Sequence, residues 1–174
     1  MLAVAIDGAL PEGVTLRPVR EEDAEFLFRV YAGTRVEELA VVPWSEEQKE
    51  AFLRMQFRAQ DTDYHRSYPD AAFLVIESDG APAGRLYVHR RRNEIAVVDV
   101  ALVPEYRGRG IGGALLRGLM AEAAAAGLPV RLHVERFNPA QRLYARLGFR
   151  PLADHGVYLL MEWRPDVDQV NTAS

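Results

Sequence analysis

The chain has 174 residues, room for one domain at roughly 100–200 residues each, and enough length to bury a core without covalent staples. An apolar fraction of 49% with 26% charged residues is an ordinary globular mix, and a net charge of -4 argues against a dedicated nucleic-acid binder. The absence of cysteine excludes disulfides, thiolate metal sites and a sulfur nucleophile, and the scattered His65, His89, His133 and His155 offer no helically spaced ligand pair, so no metal is expected.

Residues 1–13 read as a lead-in. Their apolar start lacks a basic region and is broken by Asp7, and no apolar run approaches the ~18 residues of a membrane span. A soluble, cytoplasmic protein without a membrane partner is expected. Val14–Pro18 predicts a strand. Ala24, Leu27, Phe28 and Tyr31 recur at helical spacing over 21–32, with Gly33 as a stop. Residues 34–44 show no period. Ser45 with Gln48 forms a capping-box pattern that opens a helix through about Gln60, and 61–70 has the composition of a loop.

From residue 71 the texture becomes β-rich. Residues 71–78 predict a strand, 78–84 a turn, 85–90 a second strand, and 94–103 a long apolar strand ended by Pro104. A helix over 109–126 is apolar around more than half its circumference, as expected for one lying on a sheet. Gly127 and Pro129 break it, and a strand over 130–136 follows. Asn138 caps a short helix with Pro139 at its first position and Gly148 past its end. Strands over 149–153 and 157–163 close the domain (14–164), leaving a polar tail (165–174). The order β-α-α-β-β-β-α-β-α-β-β, with a right-handed βαβ unit at its centre, predicts a mixed α/β sheet of about seven strands with helices on both faces.

The strongest chemical signal is Arg107-Gly108-Arg109-Gly110-Ile111-Gly112-Gly113, lying between a buried strand and a helix. Glycines admit close approach to the backbone, the first helical amides lack internal acceptors, and the dipole there is positive. Together these suit a phosphate or pyrophosphate. Gly108, Gly110 and Gly113 also satisfy a dinucleotide fingerprint with Glu135 as the ribose acid, but residues 104–107 intervene after the strand and the chain has too few βαβ units. A Walker A loop is excluded because no Gly-Lys-Ser/Thr is present.

Arg107-x-x-Gly110-x-Gly112, preceded by Leu102-Val103-Pro104-Glu105-Tyr106, resembles the acetyl-coenzyme A signature of the GNAT (Gcn5-related N-acetyltransferase) superfamily. Asn138-Pro139-Ala140, Leu143-Tyr144 and Leu147-Gly148-Phe149 are similar to a second segment of the same family, in the right order. The resemblance covers roughly residues 14–164. It implies that the two central parallel strands splay after a bulge and that the cofactor's pantetheine arm lies in the gap. Backbone groups of Leu102 and Val103 would bond that arm, and the amides of Arg107, Gly108, Arg109, Gly110, Ile111, Gly112 and Gly113 would hold the pyrophosphate. Asn138 would bond the arm from the other side, and Tyr144 would stand near the thioester sulfur. Read on their own, Asn138 is an N-cap, Tyr144 a core residue, and Arg107 either a phosphate ligand or a partner of Glu105.

The implied reaction is acetyl transfer from acetyl-coenzyme A to a primary amine of a small molecule or a protein. Without cysteine it proceeds by direct attack in a ternary complex. Tyr144 would protonate the departing thiolate, and an amide near Leu102 would stabilise the oxyanion. Strict alternation puts Ala96, Val98, Val100 and Leu102 on one face of the 94–103 strand, and Ile95, Val97, Asp99 and Ala101 on the other. Related proteins carry a base at the slots filled here by Val98 and Ala96, so the family's carboxylate is absent. Asp99, Glu94, His133 and Glu135 are the substitutes, Asp99 and His133 foremost. Asp99 could equally pair with Arg85 or Arg131. The acceptor pocket should be lined from Tyr31, Arg35, Glu37, Glu38 and Trp44, and near Asp154 and His155. The alternative is a non-catalytic acyl-coenzyme A-binding module of the same fold. Phe52, Met55 and Phe57, with Tyr158, Leu160 and Trp163, predict a homodimer.

Overall fold

In a computed structural model of the chain, residues 6, 8 and 10–166 are described, so most of the lead-in and of the tail lies outside the described residues. Seven strands form one sheet in the order β1-β2-β3-β4-β5-β7-β6. They are β1 (Val14–Pro18), β2 (Ala72–Ser78), β3 (Ala81–Arg90), β4 (Ile95–Leu102), β5 (Val130–Glu135), β6 (Arg150–His155) and β7 (Tyr158–Trp163). The helices are α1 (Ala24–Gly33), α2 (Val36–Ala40), α3 (Glu46–Ser67), α4 (Ile111–Ala126) and α5 (Gln141–Leu147). Only β4 and β5 pair in parallel, joined by α4; the other neighbours are antiparallel. The expected mixed sheet with helices on both faces is therefore present.

Each face has its own core. On one side Leu115, Leu116 and Leu119 of α4 pack with Leu86, Val88, Val97 and Val130, and Tyr144 joins them. On the other, Phe26, Leu27 and Val30 of α1 pack on Val75, with Ala101 and Val103 beside them. Burying a side chain of this size contributes about 1.5–3 kcal/mol, so these faces fix which helix lies where. Among the described residues no helix is long and apolar enough to cross a membrane.

Several boundaries differ from the sequence expectation. The Ser45–Gln48 capping box is formed, but α3 runs on to Ser67 through residues expected to be a loop. Composition cannot separate a solvated helix from a loop, and here Tyr64 anchors the extra turns by packing 5.9 Å from Tyr87 and bonding Asp99. The β2–β3 turn is only Asp79-Gly80, both at positive φ, so the Ala81–Gly84 segment belongs to β3. Residues 36–40 form a short helix where none was expected. Asn138 accepts a hydrogen bond from the Ala140 amide at 2.9 Å, an Asx turn, and α5 begins only at Gln141.

The largest departure is in β4. Tyr87 is opposite Asp99 but Val88 is opposite Val97, so Val98 is an extra, bulged residue. Strict alternation therefore fails. Ile95, Val97, Val100 and Leu102 share the α4 face, while Asp99 and Ala101 face α1 and α3. Beyond Val97 and Leu132 the β4–β5 ladder ends, and the strands separate. Phe57 is occupied within the chain, 5.9 Å from both Phe28 and Tyr31, and Phe52 packs on Trp44. The surface offered for self-association is correspondingly smaller than the sequence suggested.

Candidate active site

The separation of β4 from β5 opens a cavity of about 150 Å³ through the middle of the sheet. Tyr31, Arg35, Tyr64, Arg85, Asp99, His133, Glu135, Asn138 and Tyr144 all line it. Residues from α1, α3, β3, β4, β5 and α5, distant in sequence, thus meet at one gap.

On the α4 side lies the glycine loop. Gly108 and Gly110 adopt φ +74° and +81°, a region where a side chain is strained, and a Cβ at either would meet nothing within 4 Å. The first α4 hydrogen bond runs from the Ala114 amide to the Gly110 carbonyl, so the amides of Ile111, Gly112 and Gly113 have no internal acceptor. Gly110 supplies no side-chain cap. An open cradle of glycines over free amides at a positive helix end fits a pyrophosphate. Arg107 forms no ion pair with Glu105 among the described residues. Its Nε donates to the Leu102 carbonyl at 2.9 Å, folding the side chain back against the strand end. Arg109 stacks 5.2 Å over Tyr106.

Along β4 the backbone divides unevenly. The Val103 amide donates to Ala83 at 2.9 Å and its carbonyl accepts from Tyr106 at 3.0 Å, so only the carbonyl's second lone pair remains open to a pantetheine arm. Neighbouring strand residues present their backbone groups to opposite sides, so Leu102 and Val100 face the gap. The Leu102 carbonyl is engaged by Arg107, which leaves its amide as the free donor. Val100 shares a side of the strand with Leu102, as alternation gives, and the end of the β4–β5 ladder at Val97 is what opens it to the gap.

Tyr144 reaches the gap from α5. Its ring is buried, 7% exposed, and packs 5.9 Å from Phe149. The hydroxyl makes no hydrogen bond among the described residues and is open to the cavity. Burial first, and then the charge of Asp99, push its pKa up to about 12. It is a protonated donor at any physiological pH.

Asp99 stands on the opposite face. Arg85 NH2 donates to its Oδ2 at 2.7 Å, and the Tyr64 hydroxyl donates to the same oxygen at 2.9 Å. Arg85 is 3% exposed and also donates to Gln60 Oε1 at 3.0 Å. Tyr64 and Gln60 lie in a segment without a site signal in its sequence; the helical phase of the extended α3 could have found them. His133 is on the same face of β5 and is solvent-accessible, with its ring 5.7 Å from His155. Partial desolvation, and then His155, lower its pKa, while Glu94 opposes them, so the neutral imidazole predominates at neutral pH.

The remaining candidates divide. Glu135 lines the cavity but accepts from Arg35 NH1 at 2.8 Å, and the same nitrogen reaches Glu38 at 2.8 Å. Glu94 lies outside the cavity, tied between Arg91 (3.0 Å) and Arg131 (3.1 Å). Tyr31 and Arg35 line the pocket as expected; Glu37, Glu38, Trp44, Asp154 and His155 do not. Asp154 pairs with Arg136 at the surface. Asn138 lines the gap, with its Oδ1 committed to the Ala140 amide.

A split central strand pair, a glycine cradle on one side and a polar cavity on the other describe an acyl-coenzyme A-type transferase fold. The sequence profile of the acetyltransferase (GNAT) family matches residues 34–149, and the chain belongs to that family. A protein of Bacillus subtilis strain 168, named as a candidate ribosomal protein bS18-alanine N-acetyltransferase, is 28% identical over 160 residues, 85% of this chain and 93% of that one. Mycothiol acetyltransferase of Actinosynnema mirum is 33% identical over 148 residues, 80% of this chain; the chain spans 46% of that relative's length. The PaiA N-acetyltransferase of Thermoplasma acidophilum, solved in complex with coenzyme A, superposes with a TM-score of 0.66 at 25% identity, covering 87% of this chain and 98% of that one.

Proposed function

We propose that the protein is an acetyl-coenzyme A-dependent N-acetyltransferase that acts on a primary amine by direct attack in a ternary complex. The observation that carries this reading is the gap itself, lined by Asp99, His133, Asn138 and Tyr144, with the glycine cradle following the C-terminal end of the same β4 strand.

Acetyl-coenzyme A, the cosubstrate of the family, supplies an activated acetyl thioester when bound. The amides of Ile111, Gly112 and Gly113, with the open backbone at Gly108 and Gly110, hold its pyrophosphate. Backbone groups of Val100 and Leu102 face the arm, and the free Leu102 amide is the donor for the developing oxyanion. Tyr144 keeps its proton and donates it at Oη as negative charge grows on sulfur. An alkylamine with a pKa of ~10.4 arrives protonated and must lose that proton before it attacks. His133, neutral and in the same cavity, accepts it, and the neighbouring His155 leads toward solvent. The absence of cysteine leaves no sulfur for an acetyl-enzyme. Self-association into a homodimer is proposed with the exposed Met55, Leu152 and Tyr158 in the contact; light scattering at micromolar concentration giving a 19.5 kDa particle would reject it.

The test is thermal stabilisation by coenzyme A and acetyl-coenzyme A, followed by thiol release against a panel of amines. Stabilisation with acetyl transfer supports the assignment. Stabilisation without release on a broad panel points to a non-catalytic module of the same fold.

A further inference from the structure

We infer that the acceptor bears its amine on the carbon next to an amide carbonyl, and that Arg85 receives that carbonyl oxygen. The inference rests on the N-acetyltransferase reading and narrows its acceptor to α-amino amides, whether small molecules or the N-termini of peptides.

Two guanidiniums line the cavity with donors that no protein group meets. Arg85 is 3% exposed, and both its hydrogen bonds, to Asp99 Oδ2 at 2.7 Å and to Gln60 Oε1 at 3.0 Å, come from Nη2. Arg35 uses only Nη1, on Glu135 and Glu38, each at 2.8 Å. A guanidinium has five N–H donors, so those on Nε and on the second Nη of each have no acceptor among the described residues. The Nε atoms of Arg35 and Arg85 are buried and unpartnered, and among the described residues they are the two side-chain atoms of which this is true. Buried polar groups are met in the great majority of cases, so two orphans on one cavity point to a partner from outside the chain.

Charge and size select that partner. Arg85 is already paired with Asp99, and Arg35 with Glu135 and Glu38. Donors are in excess while positive charge is not, which suits a neutral oxygen over a carboxylate or a phosphate. An amide oxygen has two lone pairs and brings no charge. Arg85 is the more buried of the two guanidiniums and shares the cavity with Tyr144 and His133. A cavity of about 150 Å³ is of the size that holds benzene, so an amine at the acetyl group and an oxygen on Arg85 are only a few bonds apart. The acidity of such an amine agrees. An α-amine has a pKa of about 7.7–8.0, against ~10.4 for a simple alkylamine, so a histidine whose own pKa is lowered takes its proton more readily.

The experiment compares glycinamide with isobutylamine, which has the same shape but methyl groups in place of the carbonyl oxygen and amide nitrogen. Each is titrated into the full chain and followed by NMR at about pH 6, where both amines are protonated. Wild type should bind glycinamide ~10-fold more tightly or better, as expected for a hydrogen bond to a charged group, and should prefer it to glycine, whose carboxylate adds a charge. Equal binding of glycinamide and isobutylamine, or tighter binding of glycine, would overturn the inference. This arm needs no turnover, so a protein that bound glycinamide but never acetylated it would contradict the proposed function and leave the carbonyl site standing.

Arg85→Lys keeps a cation against Asp99 and removes the unpaired guanidinium donors. It should erase the preference for glycinamide while isobutylamine binding stays within about twofold and coenzyme A affinity is unchanged. A merely structural role would weaken both amines alike, and a preference retained in the variant would leave water as the partner of these donors; either result would overturn the inference. The wild-type comparison stands by itself if the variant fails to fold. Glycylglycinamide distinguishes the two sources of the shared chemistry. Tighter binding than glycinamide, lost in Arg35→Lys, assigns the site to peptide N-termini with Arg35 on the second carbonyl. Equal binding assigns it to small amino amides, and both results support the carbonyl site on Arg85.

Discussion

Replacing Tyr144 by phenylalanine removes one oxygen from the gap and little else. The ring packs against Phe149 within the core, and Phe keeps that contact. The hydroxyl makes no hydrogen bond among the described residues, so its loss leaves no protein group unsatisfied, and the melting temperature should move by no more than about 1–2 °C. Its pKa is pushed up to about 12, so at pH 8 only about one molecule in 10⁴ has lost the proton. The donor is in place throughout the working range, and no basic limb from this group should appear below about pH 10. General acid assistance is typically worth ~10²–10⁴-fold; water reaching the sulfur through an open gap lowers the expected loss to ~10-fold or somewhat more, or at least ~1.4 kcal/mol. An interaction that strengthens only as charge develops lowers kcat and leaves coenzyme A affinity alone. Steady-state kinetics on any acceptor that turns over, with calorimetric coenzyme A binding alongside, reads both quantities. A rate within about twofold of wild type would return Tyr144 to a purely structural role and leave the site without its acid.

Gly112 has ordinary helical φ, and a Cβ there would come no closer than 4.0 Å to Leu143, so Gly112→Ala fits the protein and should hold or raise its melting temperature by way of helix propensity. Coenzyme A affinity should nevertheless fall ~10-fold or more, because the methyl occupies the ligand's side of the cradle; unchanged affinity by calorimetry would misplace the pyrophosphate site. The lowered pKa of His133 keeps its basic form to lower pH, so kcat should rise with pH through a value below the ordinary histidine range of about 6.5 and then level off. His133→Gln should lose that limb along with most of the rate, and a retained limb would assign the base elsewhere. Away from the site, Asp23 is 5% exposed, takes two hydrogen bonds from Arg17 (2.7 and 2.8 Å) and one from the Arg20 amide (2.7 Å), and has a lowered pKa caused first by Arg17. Asp23→Asn should cost about 3 kcal/mol in denaturant unfolding at pH 7. The native carboxyl has the lower pKa, so its contribution is complete above the unfolded value of about 3.9 and is lost as pH falls through the native one. The gap between wild type and variant should therefore close in acid, and a gap that persists there would deny the ion pair its role.

Features that depend on short-range stereochemistry were legible in the residues alone. Ser45 and Gln48 form their capping box, Val14–Pro18 is a strand, and the glycine loop lies between β4 and α4 with its amides free, because caps, alternation and glycine spacing act within a few residues. The family could be read from the same loop and from the Asn138–Phe149 segment. Other features follow from pairing between residues far apart in the chain. The bulge at Val98 exists only through register with β3, and it puts Asp99 on the face opposite Ile95 and Val97, with which strict alternation had grouped it. α3 continued past Gln60 because Tyr64 found Asp99 and Tyr87, partners 35 and 23 residues away, and no local composition encodes that gain. The pairing of Asp99 has the same origin. Whether an isolated carboxylate in a strand is a base, an anchor or a structural ion depends on which donors the neighbouring strand and helix place against it, and those donors, Arg85 and Tyr64, reach it only in the folded chain.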